Sequence, residues 1–148
     1  MDNVMKMEFS ALAENESFAR GAAAAFVMAL DPTVEELTEI KTAVSEAVSN
    51  SIIHGYRDRK DRSGARVIME CSIFAGGKVV IRVEDSGVGI EDVEKAMEPL
   101  FTTGDSEERS GMGFTVMESF MDRLKVISEK GKGTVVIMTK YLDTASGI

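Results

Sequence analysis

The stretch Val79-Val-Ile-Arg-Val-Glu-Asp-Ser-Gly-Val-Gly89 indicates both a buried strand and a binding site. Its first five residues are almost all β-branched and apolar, which predicts a buried strand. Asp85 then arrives at the strand end as a fixed hydrogen-bond acceptor, suited to an exocyclic amino group such as that of adenine. Gly87 and Gly89 permit close backbone approach and unusual dihedral angles. Taken alone, this motif is also typical of a tight strand-to-helix turn.

A second polar pair lies upstream in a helical pattern. Glu46 and Asn50 are four residues apart and therefore project from one helix face. An amide oxygen is a suitable ligand for Mg²⁺, which prefers oxygen donors and keeps waters and substrate phosphates in its shell. Glu46 is placed to accept a proton from an attacking hydroxyl. Such a pair in isolation is more often a solvated helix surface.

The third motif is the turn Arg109-Ser110-Gly111-Met112-Gly113, which precedes a predicted helix. Backbone amides at a helix N-terminus form an anion site suited to phosphate, and Arg109 is placed to add charge-assisted hydrogen bonds. The preceding residues are rich in Gly, Ser, Thr and charges, so we expect a lid over about residues 97–113. The alternative is a loop with an exposed arginine.

Composition limits the possible classes of protein. With 148 residues, 44% of them hydrophobic, we expect one domain over residues 1–148. A net charge of −8 opposes nucleic-acid binding, which needs clustered cations. We expect no membrane contact and a cytoplasmic location, because no apolar run approaches about 20 residues and no signal pattern opens the chain. Cys71 is the only cysteine and His54 the only histidine, which excludes an internal disulfide and a Cys/His zinc site within one chain.

Hydrophobic periodicity predicts an α+β fold. Strands are expected at 4–11, 65–74, 78–84, 123–128 and 134–141, and the second and third are joined as a hairpin. Helices are expected from 14 or 15 to about 31, from 33 to about 56, and over 114–121. Thr33 and Glu36 have the spacing of a capping box at the start of the second helix. The core-facing stripe of this helix is predicted to consist of Leu37, Ile40, Val44, Ala47, Val48 and Ser51. Runs of helices and hairpin-joined strands are typical of a two-layer sandwich.

Together, and in this order, the motifs resemble those of the Bergerat-fold (GHKL) ATP-binding family, which includes histidine kinases, type II topoisomerases, Hsp90 and MutL. The resemblance covers most of the chain. It identifies residues 46–55 as the N box, 85–89 and 109–113 as the two glycine boxes, and Gly133-Thr134 as the closing element. It implies a two-layer α/β sandwich whose mainly antiparallel sheet carries helices on one face.

Within that family, residues 14–20, 45–56, 99–103 and 108–114 are similar to the anti-sigma F factor family. This resemblance implies a homodimeric protein serine kinase that binds ATP or ADP with Mg²⁺, holds sporulation sigma factor F inactive, and phosphorylates an anti-anti-sigma factor. It implies catalytic roles for Glu46 and Arg109, and a metal-ligand role for Asn50. The implied nucleotide contacts are Asn50, Asp85, Gly87, Gly89, Ser110, Gly111, Gly113 and Thr134, and the implied partner contacts are Glu16 and Arg20.

Three other functions remain open at this point. A related stress-response anti-sigma serine kinase would share the ATP site and differ in the partner surface around Arg20. A nucleotide-gated binding module without catalysis would need Asn50 and Asp85 but not Glu46. The catalytic half of a histidine kinase is disfavoured, since we expect no room for a dimerising helical hairpin with its phosphoacceptor histidine.

Overall fold

Strands and helices follow the predicted order. The computed structural model describes residues 2–57, 60–61, 63–98 and 113–143. In that part of the chain, the strands are β1 (Asn3–Ser10), β2 (Arg66–Phe74), β3 (Lys78–Asp85), β4 (Arg123–Glu129) and β5 (Gly133–Tyr141). The α-helices are α1 (Glu14–Val27), α2 (Val34–Asn50), α3 (Val93–Ala96) and α4 (Gly113–Phe120), and a short 3₁₀ turn, Met28–Leu30, follows α1. No described helix is both long and apolar enough to cross a bilayer.

The strands form a five-stranded sheet in the order β1-β2-β3-β5-β4, and every neighbouring pair is antiparallel. The predicted α+β fold with a mainly antiparallel sheet is therefore confirmed. Strand β3 is central, and its last residue, Asp85, is in register with Thr134 near the start of β5. This register brings the two polar residues side by side at the same end of the sheet.

One face of the sheet packs against the helices. Burial alternates along β2 and β3, so that every second residue joins a core shared with α1, α2 and α4. The buried residues of α2 are Ile40, Ala43, Val44, Ala47 and Val48, which repeats most of the predicted stripe. The predicted capping box is present, since the Glu36 amide donates to Thr33 Oγ1 at 3.0 Å and the Thr33 amide donates to Glu36 Oε1 at 2.9 Å.

The second helix changes from α to π near its end. It is helical to Gly55, close to the expected end at about residue 56, but the α-helix ends at Asn50 and the last turn, Ser51–Gly55, is a π turn. A π turn admits an extra residue and rotates the side chains that follow. Ser51, expected only in the core-facing stripe, is buried and reaches β3, where its hydroxyl donates to Asp85 Oδ2 at 2.8 Å.

Candidate functional site

Asp85 is a buried carboxylate at the end of the central strand, with 6% of its surface exposed. Its Oδ2 accepts from the Ser51 hydroxyl at 2.8 Å, and its Oδ1 accepts from the Gly87 amide at 2.9 Å. Burial raises the pKa of this carboxyl above its ordinary value, and the hydrogen bonds from Gly87, Ser51 and the Thr134 amide only partly offset that effect. The site therefore holds a desolvated acceptor in a fixed orientation.

The glycine after Asp85 allows two backbone segments to touch. A Cβ added at Gly87 would overlap the carbonyl oxygen of Gly55, and the Val88 amide donates to that same oxygen at 2.6 Å. Tyr56 secures the crossing, because its hydroxyl accepts from the Ser86 amide at 2.9 Å and donates to the Arg66 carbonyl at 2.6 Å. Only glycine fits at this crossing, so Gly87 is required by the contact between β3 and the end of α2.

Besides Asp85 and its donors, a second set of polar side chains lies where α2 meets the first residue of α4. A Cβ added at Gly113 would be 3.0 Å from Asn50 Nδ2, 3.3 Å from Asn50 Oδ1 and 3.4 Å from Glu46 Oε1. The side chains of Glu46 and Asn50 thus converge on the start of α4. The sequence predicted that these two residues share a helix face, and the structure adds that Gly113 is the residue they face.

A cavity of about 970 Å³ reaches from Asp85 to Asn50 and Gly113, and Glu46 lies beside Gly113 but outside the cavity lining. Its lining includes Asn50, Ser51, Asp85, Gly113 and Thr134. Its volume is at the upper end of the range for small-molecule and cofactor sites. A buried acceptor at one position and an amide beside a carboxylate at another match the two ends of a nucleotide, its base and its phosphates.

The β4–β5 turn packs against the loop that follows Asp85 and forms the wall of the cavity on that side. A Cβ added at Gly89 would overlap the Glu129 carbonyl oxygen, and the Gly131 amide donates to the Val88 carbonyl at 2.6 Å. Ser128, on β4, lies 2.8 Å from Thr134 Oγ1 and accepts from the Ile90 amide at 2.7 Å. This wall therefore depends on a residue of β4 that the motifs did not indicate.

Three residues around the site were not predicted as functional. Ser51 had a signal in the sequence, since it is a polar residue in an otherwise apolar helix stripe. Tyr56 and Ser128 had none, because each acts through contacts with segments distant in the chain. Arg109, Ser110 and Gly111, and most of the predicted lid, lie outside the described residues.

The donor types at the Asn50 end of the cavity suit Mg²⁺ that is bound together with a nucleotide. In the parts of the chain that the structure describes, no three His, Cys, Asp or Glu residues are grouped to hold a metal ion. Mg²⁺ commonly takes one or two protein oxygens and completes its shell with waters and phosphates. Asn50, whose side chain carries an amide oxygen, lines the cavity.

Glu16 and Arg20 lie in a different place, on α1. Arg20 forms an ion pair with Glu16 at 3.0 Å and donates to Ser45 Oγ at 3.2 Å. Arg20 and Ser45 line a separate cleft of about 430 Å³, together with Thr38, Lys41 and Thr42 of α2. Ser45 directly precedes Glu46, so the cleft and the nucleotide-type cavity share one helix.

Comparison with known proteins agrees with this geometry. The family model described as a histidine kinase-like ATPase domain matches residues 9–140. The chain is 58% identical to an anti-sigma F factor of Clostridium perfringens (strain SM101 / Type A), covering 97% of this chain and 100% of that protein. It is 59% identical to the anti-sigma F factor of Clostridium novyi (strain NT), covering 95% of each.

Solved structures share the fold at low sequence identity. The structure of the RsbU and RsbW domains of Rv1364c from Mycobacterium tuberculosis has a TM-score of 0.67 and 17% identity, covering 95% of this chain and 32% of that one. The histidine kinase domain of the Erythrobacter litoralis EL346 blue-light activated histidine kinase has a TM-score of 0.56 and 22% identity, covering 86% of this chain and 60% of that one. From the matching family model and the near full-length relatives, the chain belongs to the histidine kinase-like ATPase domain family and, within it, to the anti-sigma F factors.

Proposed function

We propose that this chain is a single ATP-binding kinase domain that phosphorylates a serine of an anti-anti-sigma factor and holds sigma factor F inactive when nucleotide is bound. The observation that carries the proposal is the convergence of Glu46 and Asn50 on Gly113, at the cavity that also contains Asp85. A base, a metal ligand and a helix start at one point are the groups that phosphoryl transfer to a hydroxyl requires. Belonging to the anti-sigma F factors supports the choice of partners.

On the nucleotide side, each residue has a separate role in this proposal. Asp85 accepts a hydrogen bond from the amino group of adenine, which its buried and fixed carboxylate suits. Asn50 contributes its amide oxygen to Mg²⁺. The Mg²⁺-ATP complex, when bound, supplies the phosphoryl group and neutralises its charge. Arg109, Ser110 and Gly111 are proposed phosphate contacts, with Gly113 at the start of α4.

Glu46 is the proposed general base. Its Oε1 and the Asn50 side chain both lie within 3.4 Å of the position of a Cβ on Gly113, so the two can serve the same phosphate region with different chemistry. The carboxylate accepts the proton of the substrate serine hydroxyl as that oxygen forms its bond to phosphorus. Glutamine at this position would keep the shape of the side chain but could not take the proton.

Glu16 and Arg20 are proposed partner contacts. Their ion pair, with Ser45, holds the Arg20 guanidinium at the mouth of the second cleft, where it is partly exposed. A fixed cation of this kind favours an acidic patch on a partner and discriminates against basic ones. We also propose a homodimer, for which the exposed side of β1 and the neighbouring helices are candidate surfaces.

Phosphate transfer from Mg²⁺-ATP to the anti-anti-sigma protein tests the kinase function. Wild type should modify one serine, which mass spectrometry maps, and Glu46→Gln should retain ATP binding while losing transfer. Asn50→Ala should lose the Mg²⁺-dependent part of ATP affinity in titration calorimetry. Glu118→Gln, an exposed change on α4, is the matched control and should behave as wild type.

The remaining alternatives give different outcomes. ATP binding without transfer by the wild type would favour a nucleotide-gated binding module. Transfer that Glu46→Gln does not impair would remove Glu46 as the base. For the partner surface, Arg20→Glu should weaken capture of both protein partners and leave ATP affinity intact, with Arg123→Glu, exposed on β4, as the charge-matched control. A stress-response sigma factor captured in place of sigma factor F would identify the related kinase.

A further inference from the structure

Ser128 is a half-buried residue of β4 that lies beside Thr134, outside the lining of the nucleotide cavity. Its Oγ is 2.7 Å from the Ile90 amide nitrogen, 2.8 Å from the Gly133 carbonyl oxygen and 2.8 Å from Thr134 Oγ1. Three polar atoms therefore surround one hydroxyl. Thr134, by contrast, lines the cavity and is in register with Asp85.

The types of these partners determine where the protons lie. A serine hydroxyl has one proton and two lone pairs. The Ile90 amide can only donate, so it occupies one lone pair of Ser128. The Gly133 carbonyl can only accept, so it takes the Ser128 proton. One lone pair of Ser128 is then left for Thr134, and Thr134 must be the donor.

We propose that Ser128 is a positioning residue that holds the proton of the Thr134 hydroxyl, so that Thr134 presents its oxygen to the cavity as a hydrogen-bond acceptor. Thr134 and the Asp85 carboxylate then form two neighbouring acceptors on the wall that faces the base. Two acceptors favour a purine with a 6-amino group and disfavour one with a 6-oxo group, which has a lone pair in place of a proton. This inference rests on the proposed nucleotide binding and assigns part of its base selectivity to a residue behind the site.

Ser128 also connects this selectivity to the loop after Asp85. The Ile90 amide is bonded to the same hydroxyl, and the Gly131 amide of the β4–β5 turn donates to the Val88 carbonyl at 2.6 Å. Loss of the Ser128 hydroxyl would therefore release both the Thr134 proton and the Ile90 amide. The first change affects which base is preferred, and the second can be followed without any nucleotide.

The test compares ADP with inosine diphosphate, which has a 6-oxo group in place of the amino group and a hydrogen on the neighbouring N1. In Ser128→Ala, the Thr134 proton is free to donate to that oxo group, so the preference for ADP should fall by about fivefold, the worth of one hydrogen bond. Ser128→Thr keeps the hydroxyl and should keep the preference for ADP. Ser72→Ala, a half-buried serine of β2, is the matched control and should not change it.

If Ser128 had a purely structural role, Ser128→Ala would bind both nucleotides more weakly by the same factor and would keep the preference for ADP. That result would overturn the inference. Wild type that binds ADP without preferring it would also overturn the inference while leaving nucleotide binding intact. Wild type that binds neither nucleotide would overturn the proposed function and this inference with it. In nucleotide-free Ser128→Ala, the Ile90 amide should exchange its hydrogen faster than in wild type, and unchanged exchange counts against the network. Should Ser128→Ala not fold, the nearly isosteric Ser128→Cys, a weaker acceptor, should lower the ADP preference in the same direction.

Discussion

The Ser51 hydroxyl donates a 2.8 Å hydrogen bond to Asp85 Oδ2, joining the π-helical end of α2 to the end of the central strand. Both side chains are buried, with 4% and 6% of their surfaces exposed. A buried carboxylate oxygen depends on its donors, because water cannot replace them. The serine next to the proposed Mg²⁺ ligand is thus a direct support of the proposed adenine contact.

Ser51→Ala should therefore destabilise the protein by about 1–3 kcal/mol, because one oxygen of a buried carboxylate loses its donor. It should also raise the pKa of Asp85 further, since the Ser51 hydrogen bond lowers that pKa. Urea unfolding at neutral pH measures the first effect, and carboxyl-carbon NMR titration measures the second. Ser72→Ala is the control. An unchanged free energy of unfolding would show that this hydrogen bond contributes nothing net.

The stability of the nucleotide-free protein should depend on the ionisation of Asp85. Burial raises its folded-state pKa above the ordinary value of 3.8, so the folded state binds this proton more tightly than the unfolded state does. The resulting stabilisation is fully present below the unfolded pKa and is lost as pH rises through the raised folded pKa. The free energy of unfolding of wild type relative to Asp85→Asn should therefore decrease as pH rises over that window. A difference that increases with pH would contradict the direction of the shift.

Gly113→Ala tests the meeting point of α2 and α4. The added Cβ would lie 3.0 Å from Asn50 Nδ2, which is too close, so the Asn50 side chain must move. We expect Mg²⁺-dependent ATP affinity to fall by about tenfold, as for a disturbed metal-site support. Titration calorimetry with and without Mg²⁺ measures this. Gly21→Ala in α1 is the matched control, since nothing lies within 4 Å of its Cβ, and it should stabilise the helix by about 0.5–1 kcal/mol without affecting ATP.

Lys140→Met should destabilise the packing of α4. Lys140 is only 9% exposed, and its Nζ donates to Glu39 Oε1 at 2.9 Å and to the Phe120 carbonyl at the end of α4 at 2.7 Å. Its loss leaves both acceptors without that donor. We therefore expect the free energy of unfolding, measured in urea, to fall by about 1–3 kcal/mol. Lys132→Met is the control, because its ion pair with Glu129 is exposed and should contribute less than about 1 kcal/mol. Equal effects of the two variants would contradict a structural role for Lys140.

Cys71 should be unreactive while the protein is folded. It is fully buried in β2, and burial, with the Glu70 charge as a lesser cause, raises the pKa of its thiol to about 12. Mass spectrometry of iodoacetamide-treated protein at pH 8 should find rapid modification in urea and very slow modification in buffer. Comparable rates in the two conditions would show that the strand opens readily.

Much of the fold and part of the site could be predicted from local sequence. The alternation along β2 and β3 and the stripe on α2 are periodic, so one side of each element had to be buried whatever it packed against. The capping box at Thr33 and Glu36 is a contact over three residues and was predicted correctly. The common face of Glu46 and Asn50 follows from helix geometry alone.

The end of the second helix was predicted at about residue 56 and lies at Gly55, but its change to a π turn was not predicted. Helical periodicity does not distinguish an α-helix from one that widens into a π turn. Here the π turn occurs where the helix contacts β3 and the loop after it. Ser51 bonds to Asp85 and the Gly55 carbonyl accepts from Val88, both more than 30 residues away in sequence. Such long-range bonds leave no local pattern.

The sequence by itself determined the order of strands and helices, the side of each that is buried, and which residues could bind a nucleotide, because these follow from short-range periodicity and side-chain chemistry. The tertiary structure alone decided which of those residues meet. The antiparallel register places Asp85 opposite Thr134, and the packing of α4 on α2 places Gly113 against Asn50 and Glu46. The direction of the Ser128 and Thr134 hydroxyl protons likewise depends on partners from three segments. Sheet register and helix packing are cooperative properties of the whole core, so they become visible only when the chain is folded.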